Sequence, residues 1–139
     1  MRYVFDIETD GFLDVVSKVH CIVLKDIDTN EVLLLSVDEA VKKLSKAKLL
    51  IGHNIIKYDI PVLKKLFVNF VHFKAEIFDT LVATRLLYPD VKEKDFQRKD
   101  FPRDCIGRHS LKAWGNRIGT YKAQFDTDWK EYTPEMRDY

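Results

Sequence analysis

The chain has 139 residues, which is enough for one domain with its own hydrophobic core and too few for two domains of ordinary size. Hydrophobic residues make up 46% of it, a content that excludes a disordered protein. Its 23 basic and 22 acidic residues nearly balance, which excludes a polybasic protein that binds nucleic acid through bulk charge. Two distant cysteines cannot form a disulfide framework or a zinc site. We expect one cytoplasmic domain over residues 1–139, without an export signal or a membrane-spanning segment.

Hydrophobic periodicity and turn residues predict strands and helices in α/β order. Strands are predicted at Arg2–Glu8, His20–Lys25, Val32–Val37 and Leu49–Gly52. Helices are predicted after the N-cap Asp38, at Asp59–Phe70, at Thr80–Leu87 after the N-cap Asp79, from the N-cap Ser110 to the stop Gly119, and from the N-cap Thr133 onward. Between Pro89 and Arg108 the periodicity disappears because eleven of the twenty residues are charged, and this segment is predicted to be a solvated loop.

Two acidic residues near the end of the first strand are the first candidates for chemistry. Asp6 and Glu8 are two positions apart, so their side chains project from the same face of the strand, about 7 Å apart. Carboxylates this close repel each other unless a cation lies between them, and oxygen ligands suit Mg²⁺ or Mn²⁺. The plain alternative is a strand with one solvated face.

A second candidate lies on the predicted connection between the Leu49–Gly52 strand and the next helix. Functional groups of α/β proteins are often placed on such connections, and this one carries Asn54 and Asp59. The plain alternative is that Asp59 caps the helix and that Asn54 forms a turn.

Taken together, these motifs resemble those of the DEDD 3′–5′ exonucleases. Asp-x-Glu-Thr at 6–9 and Asn-x3-Tyr-Asp at 54–59 are similar to the first two motifs of that family. The resemblance extends over essentially the whole chain to the proofreading domain of A-family DNA polymerases from short-tailed bacteriophages. Three further stretches carry the resemblance. Asp79–Leu81 is similar to a helix start of the family, and Ser110–Gly119 is similar to a Trp-Gly stretch specific to that branch. Met136–Tyr139 is similar to the opening of the third motif.

The resemblance implies an RNase H-like (DnaQ-like exonuclease) α/β fold with a mixed central sheet flanked by helices. It also implies two Mg²⁺ or Mn²⁺ ions, one activating a water as the nucleophile and the other stabilising the leaving 3′ oxygen at the 3′ end of single-stranded DNA. Asp6 would bridge the ions, Glu8 would bind one ion and the region of the 3′ hydroxyl, and Asp59 would hold the second ion through water. Further implied roles are water orientation by Tyr139, positioning of the terminal nucleotide by Thr9 and Asn54, and an apolar wedge formed by Phe12.

The family's fourth acid is expected four residues after Tyr139, where the sequence has no position. We therefore expect a truncated last helix, weak binding of the second ion, and weak or absent hydrolysis by this chain. The missing acid has three explanations: a fragment of a longer polymerase, one half of a split protein, or a degenerate binding domain. We favour the first two explanations because every earlier motif is intact, and they make the rest of a DNA polymerase, in cis or as a separate chain, the expected partner.

Two other functions stay open. One is a catalytically defective nucleic-acid- or protein-binding module on the same fold, using the bases of the charged segment, which are interleaved with aromatic rings. The residues concerned are Lys92, Lys94, Arg98, Lys99, Arg103 and Arg108, with Phe96 and Phe101 among them. The other is a stand-alone exoribonuclease, because no sequence motif reports contacts to the 2′ hydroxyl.

Overall fold

The computed structural model describes residues 1–121 and 129–137. Its strands are β1 (Arg2–Thr9), β2 (Val19–Asp26), β3 (Val32–Leu33), β4 (Leu49–Gly52) and β5 (Glu76–Asp79). Its α-helices are α1 (Val37–Ser45), α2 (Asp59–Leu66), α3 (Thr80–Leu87), α4 (Val91–Phe96) and α5 (Leu111–Ile118), and 3₁₀ turns span Val68–Phe70, Arg103–Cys105 and Pro134–Arg137. In this described part of the chain, no helix has the length and apolar composition that a membrane crossing requires.

The five strands form one mixed sheet in the order β3-β2-β1-β4-β5. β2 is antiparallel to both β1 and β3, whereas β4 runs parallel to β1 and β5 runs parallel to β4. The mixed central sheet of an RNase H-like α/β fold is therefore confirmed. Because β1, β4 and β5 share one direction, their carboxyl ends meet at the same edge of the sheet.

Alternation along β1 separates a core face from a polar face. Tyr3, Phe5 and Ile7 are buried and pack in a cluster with apolar residues of α1 and α2. Asp6 is exposed and Glu8 is half-buried on the opposite face. The 3₁₀ turn Pro134–Arg137 packs against β2, which leaves Met136 1% exposed.

Several element boundaries differ from the sequence prediction. The third strand is much shorter than Val32–Val37 because Ser36 caps α1, with its hydroxyl accepting the Glu39 N–H and the Glu39 carboxylate accepting the Ser36 N–H. The helix cap predicted at Asp38 is thus wrong by two residues. The helix predicted to reach Phe70 ends at Leu66, since the next residue, Phe67, has an extended backbone. Strand β5 was not predicted at all.

The described residues form two compact units, 1–79 with 129–137 and 80–121. The predicted solvated loop from Pro89 to Arg108 lies in the second unit, and nine of its twenty residues belong to α4 and a 3₁₀ turn, so the loop prediction is wrong for these nine. Three of its acids form ion pairs: Asp90 with Lys94 of the same segment, Asp95 with Arg117 and Asp104 with Lys112, both of α5. Pairing within the segment and with α5 explains how so charged a sequence folds locally.

A buried ion pair organises the second unit. The Arg117 Nε and Nη2 atoms donate to the two carboxylate oxygens of Asp95 at 2.9 and 2.7 Å, and the Gly107 N–H donates to the same carboxylate at 2.9 Å. Burial raises the pKa of the Asp95 carboxyl, but these hydrogen bonds outweigh burial and bring the pKa below its ordinary value. The Arg117 guanidinium also lies over the Trp114 ring, 4.6 Å from its centroid.

The fourth predicted helix is confirmed as α5. Its predicted cap, Ser110, accepts the N–H of Ala113, and its predicted stop, Gly119, has a left-handed backbone with φ of 76°.

Candidate active site

The carboxyl edge of the three parallel strands brings together polar residues from distant parts of the sequence. β1 ends at Thr9, β4 ends at Gly52 and β5 ends at Asp79, and Gly52 lies directly opposite Asp79 in the register. In α/β sheets this edge is where ligands generally bind. Most of the site residues predicted from the sequence lie on these strand ends or on the segments that follow them.

Asp6 and Glu8 lie on the polar face of β1, as their spacing predicted. In the register with β2, they are directly opposite Val23 and Cys21. Burial, together with the charges of Glu8 and Asp6, raises the pKa of the Cys21 thiol to about 11, so this cysteine stays protonated. The negative charges of Asp6 and Glu8 therefore act on a residue of β2.

Asp59 is the buried member of the acidic set. It is the first residue of α2 and only 3% exposed, and its Oδ1 atom has no hydrogen-bond partner among residues 1–121 and 129–137. Burial, and then the negative charges of Asp6 and Glu8, raise the pKa of the Asp59 carboxyl to about 7, although the N–H groups of Asp59 itself and Ile7 oppose the rise. The cap position belongs to Tyr58, whose side chain makes no capping bond, so helix capping does not explain Asp59.

The start of α2 brings Asp59 within electrostatic reach of β1. The last residue pair of the β1–β4 ladder is Val4 with Ile51. Beyond that pair, the charges of Asp6 and Glu8 raise the pKa of the Asp59 carboxyl and the Ile7 N–H opposes the rise. Asp59 is therefore a third carboxylate that interacts with the strand carrying Asp6 and Glu8.

Thr9 and Tyr58 share a hydrogen-bonded cluster with the backbone of Gly11. The Thr9 Oγ1 atom lies 3.0 Å from the Gly11 carbonyl oxygen, the Tyr58 hydroxyl donates to the same carbonyl at 2.6 Å, and the two hydroxyls contact each other. Thr9 is buried because it continues the alternation that buries Tyr3, Phe5 and Ile7, and the pairing of β1 with β2 shifts register between Glu8 and Thr9. Tyr58 received no role from the sequence, although it stands within the quoted Asn-x3-Tyr-Asp motif.

The loop after β1 presents Phe12, whose side chain is 82% exposed. The Asp10 carboxylate accepts the N–H groups of Ser17 and Lys18 at 3.0 Å each, and hydrogen bonds from the Ser17 hydroxyl and these amides lower the pKa of Asp10 to about 2. From α2, the Lys65 Nζ atom donates to the Leu13 and Asp14 carbonyls at 2.9 and 3.2 Å. The loop that carries the exposed Phe12 side chain is therefore held in place by several hydrogen bonds.

Asn54 lies on the turn between β4 and α2. Its φ of 65° is in the left-handed region, which asparagine tolerates better than most residues. The Asn54 and Ile56 N–H groups donate to the two oxygens of Asp79 at 2.9 and 3.0 Å. Glycine at position 52 lets β4 lie close to β1, since a Cβ atom there would lie 2.8 Å from the Phe5 carbonyl oxygen.

The predicted site residue Tyr139 lies outside the residues that the structure describes. The helix predicted from Thr133 is a 3₁₀ turn at Pro134–Arg137 in the described part.

Comparison with known proteins relates the sequence to phage polymerases. The chain is 32% identical over 148 aligned positions to the DNA-directed DNA polymerase of Escherichia phage T7, and 31% identical over 148 positions to that of Enterobacteria phage T3. Each alignment covers 96% of this chain and 21% of the relative. The chain is a homologue of one segment of these phage polymerases.

The chain spans about one fifth of the length of the curated relatives it matches. No family model matches it. Among solved structures, a chain described as the apo form of the nuclease superposes with a TM-score of 0.61 over 99% of this chain and 63% of that one, at 22% identity. The predicted relation to phage polymerases is thereby confirmed, and the chain has the fold of this nuclease.

The acids of this chain have the donor chemistry that a divalent cation requires. Asp6, Glu8 and Asp59 offer carboxylate oxygens, and one buried Asp59 oxygen has no hydrogen-bond partner among the described residues. Within residues 1–121 and 129–137, no three side chains of His, Cys, Asp or Glu converge closely enough to bind one ion together. Asp6 is exposed and Glu8 is half-buried on the same face of β1, so solvent reaches both side chains.

Proposed function

We propose that this chain is a 3′–5′ exonuclease that removes nucleotides from the 3′ end of single-stranded DNA during proofreading. The observation that carries the proposal is the buried Asp59 carboxylate at the carboxyl edge of a nuclease fold, which has an oxygen without a hydrogen-bond partner among the described residues and a pKa raised by two further acids. An acid buried next to other acids costs folding free energy, which is typical of a functional site.

Asp6, Glu8 and Asp59 are proposed to hold Mg²⁺ or Mn²⁺. When bound, the cations would supply an activated water and charge neutralisation at the scissile phosphate. Hydrolysis then breaks the bond between phosphorus and the 3′ oxygen, releasing a nucleoside 5′-monophosphate and leaving a shorter strand with a 3′ hydroxyl. Before any cation binds, the three acids repel the DNA backbone, so we expect DNA binding at this edge to require divalent ions.

The neighbouring side chains are proposed to orient the terminal nucleotide. Glu8 near the end of β1 and Asn54 on the turn after β4 lie at the same sheet edge, and the exposed Phe12 ring is free of the core and suited to contact the last base. Thr9 would act mainly through its bonds to Gly11 and Tyr58, which hold the loop that carries Phe12. Orientation of the attacking water remains proposed for Tyr139.

The proposed partner is the rest of a DNA polymerase, joined in the same polypeptide or present as a separate chain. Both relatives are DNA-directed DNA polymerases in which the aligned segment is about one fifth of the length. We place this activity in the cytoplasm of a phage-infected host, where an exonuclease of this kind would remove misincorporated nucleotides.

The test is stepwise digestion of single-stranded DNA by this chain in Mn²⁺. A 5′-labelled oligonucleotide should give a ladder of shortened strands, and a 3′-labelled one should release labelled mononucleotide first. Asp6→Asn should abolish both signals, whereas Glu76→Gln should leave them unchanged, because Glu76 is an exposed acid at the opposite end of β5. A parallel RNA oligonucleotide tests the exoribonuclease alternative. Because weak or absent hydrolysis is expected without the fourth acid, the same assay is run with an extension or a second chain that supplies this acid. Absence of Mn²⁺-dependent shortening in both assays, or equal shortening by Asp6→Asn, would refute the proposal.

A further inference from the structure

Asp79 links the end of β5 to the turn that follows β4. Its side chain is buried, with 6% of the residue exposed. Oδ1 accepts the Asn54 N–H at 2.9 Å, and Oδ2 accepts the Ile56 N–H at 3.0 Å. Both oxygens of one buried carboxylate are therefore bound to alternate amides of a single turn, an arrangement that uses strong charge-assisted hydrogen bonds.

The turn held by Asp79 leads directly to Asp59. After the left-handed Asn54, the Asn54 carbonyl accepts the N–H groups of Lys57 and Tyr58 at 3.2 Å each. The Ile55 carbonyl then accepts the Ile60 N–H at 2.9 Å, and the Ile55 side chain is fully buried below the turn. The orientation in which Asp59 enters the site consequently depends on the conformation of residues 54–56.

We infer that Asp79 is a positioning residue, which fixes the turn that presents Asn54 and Asp59 without itself touching the DNA or a cation. The inference rests on the proposed function, because it assigns Asp79 a role in that same site. Asp79 also precedes α3 and was predicted from the sequence as its cap. A helix cap needs one side-chain acceptor, whereas the two turn amides need two oxygens, and this difference separates the roles experimentally.

The decisive variant is Asp79→Asn. Asparagine caps helices about as well as aspartate, but its NH₂ group would face one of the two amides that need an acceptor. Amide hydrogen exchange of Asn54 and Ile56, measured by NMR, should become at least about tenfold faster for one of them, with protection in α3 unchanged. The Mn²⁺ dissociation constant, measured calorimetrically, should rise about 10- to 100-fold. Asp90→Asn is the matched control, since Asp90 likewise directly precedes a helix, α4.

Unchanged exchange of both amides would overturn the inference. So would faster exchange with a wild-type Mn²⁺ affinity, because Asp79 would then shape the turn without affecting the acids. Failure of the proposed function gives a different result: wild-type chain and Asp6→Asn would bind Mn²⁺ equally poorly. The exchange measurement would still decide in that case whether Asp79 holds the turn.

Discussion

Two aspartates of this chain are equally buried and electrostatically opposite. Asp59, in the first unit, is 3% exposed, and Asp95, in the second, is 1% exposed. Asp95 is bound by both donor groups of one guanidinium and by a backbone amide, and its pKa is lowered. Asp59 has an oxygen that no described residue hydrogen-bonds, and burial together with the charges of Asp6 and Glu8 raises its pKa to about 7.

The difference separates a carboxylate that stabilises the fold from one that is available for chemistry. Burial alone does not distinguish them, because both side chains are removed from water. Their partners do, since a buried charge is tolerated when it is paired and is costly when it is not. The same isosteric change, aspartate to asparagine, should therefore have opposite consequences at the two positions.

The largest expected effect is on catalysis. Asp59→Asn should lower the rate of 3′-nucleotide release by about a thousandfold or more, because an amide cannot replace a carboxylate as a cation ligand. Gel analysis of a 5′-labelled oligonucleotide in Mn²⁺ measures this rate. Asp95→Asn, assayed below its own unfolding temperature, should retain the wild-type Mn²⁺ affinity. A rate within tenfold of wild type for Asp59→Asn would remove that residue from the proposed site.

The next largest effect is on stability in the second unit. Asp95→Asn should lower the free energy of unfolding by about 3 kcal/mol, because the Arg117 side chain, 2% exposed, would lose its buried counter-charge. Urea unfolding followed by circular dichroism measures the change. Asp104→Asn is the control, since the Asp104–Lys112 pair is exposed and should contribute at most about 1 kcal/mol. Equal losses in the two variants would contradict the role given to the buried pair.

The opposite sign is expected for stability at Asp59. With cations removed at pH 8, Asp59→Asn should raise the free energy of unfolding by about 2 kcal/mol, because it removes a buried charge beside two acids. The folded pKa of about 7 lies above the unfolded value of 3.8, so the carboxylate destabilises the fold increasingly as the pH rises from 4 to 7. The gain should accordingly vanish near pH 4. A destabilised variant at pH 8 would mean that Asp59 is paired after all.

The smallest effect is the acid dependence of the Asp95 pair. The folded pKa of Asp95 is lower than the unfolded one, so its stabilising contribution is complete above pH 4 and is lost as the pH falls through the folded pKa. Wild-type stability should therefore decline more steeply below pH 4 than that of Asp95→Asn. Parallel unfolding curves for the two proteins between pH 4 and pH 2 would show that Asp95 contributes nothing to acid sensitivity.

Elements with strong local signals could be predicted from the sequence. The alternation of β1, the short apolar run of β4 and the caps of α5 each depend on neighbouring residues only. Two signals were misinterpreted. Ser36 and Glu39 form a Ser-x-x-Glu capping box that competes with Asp38. Helix α4 (Val91–Phe96) was not predicted, because its charges pair with residues of the same segment and with Arg117, and composition alone does not reveal these pairs.

For the site, the sequence could predict which acids matter but not how they are supported. The spacing of Asp6 and Glu8 defines their shared face of β1. The bonds from Asp79 to the turn after β4, and from Lys65 to the loop that carries Phe12, join residues 23 to 52 positions apart. Pairings of that kind depend on the three-dimensional arrangement of strands and have no local sequence signature.

The stacking of Arg117 on Trp114 makes this ring an optical reporter of the second unit. The indole Nε1 atom is buried and has no hydrogen-bond partner in the described part of the chain, and a cation covers the ring face. Trp114 is therefore expected to emit at short wavelength in the native protein and to shift to longer wavelength when the Asp95–Arg117 pair opens. The Trp114 fluorescence would report on the folding of the second unit while Mn²⁺ or DNA binds at Asp6, Glu8 and Asp59 of the first unit.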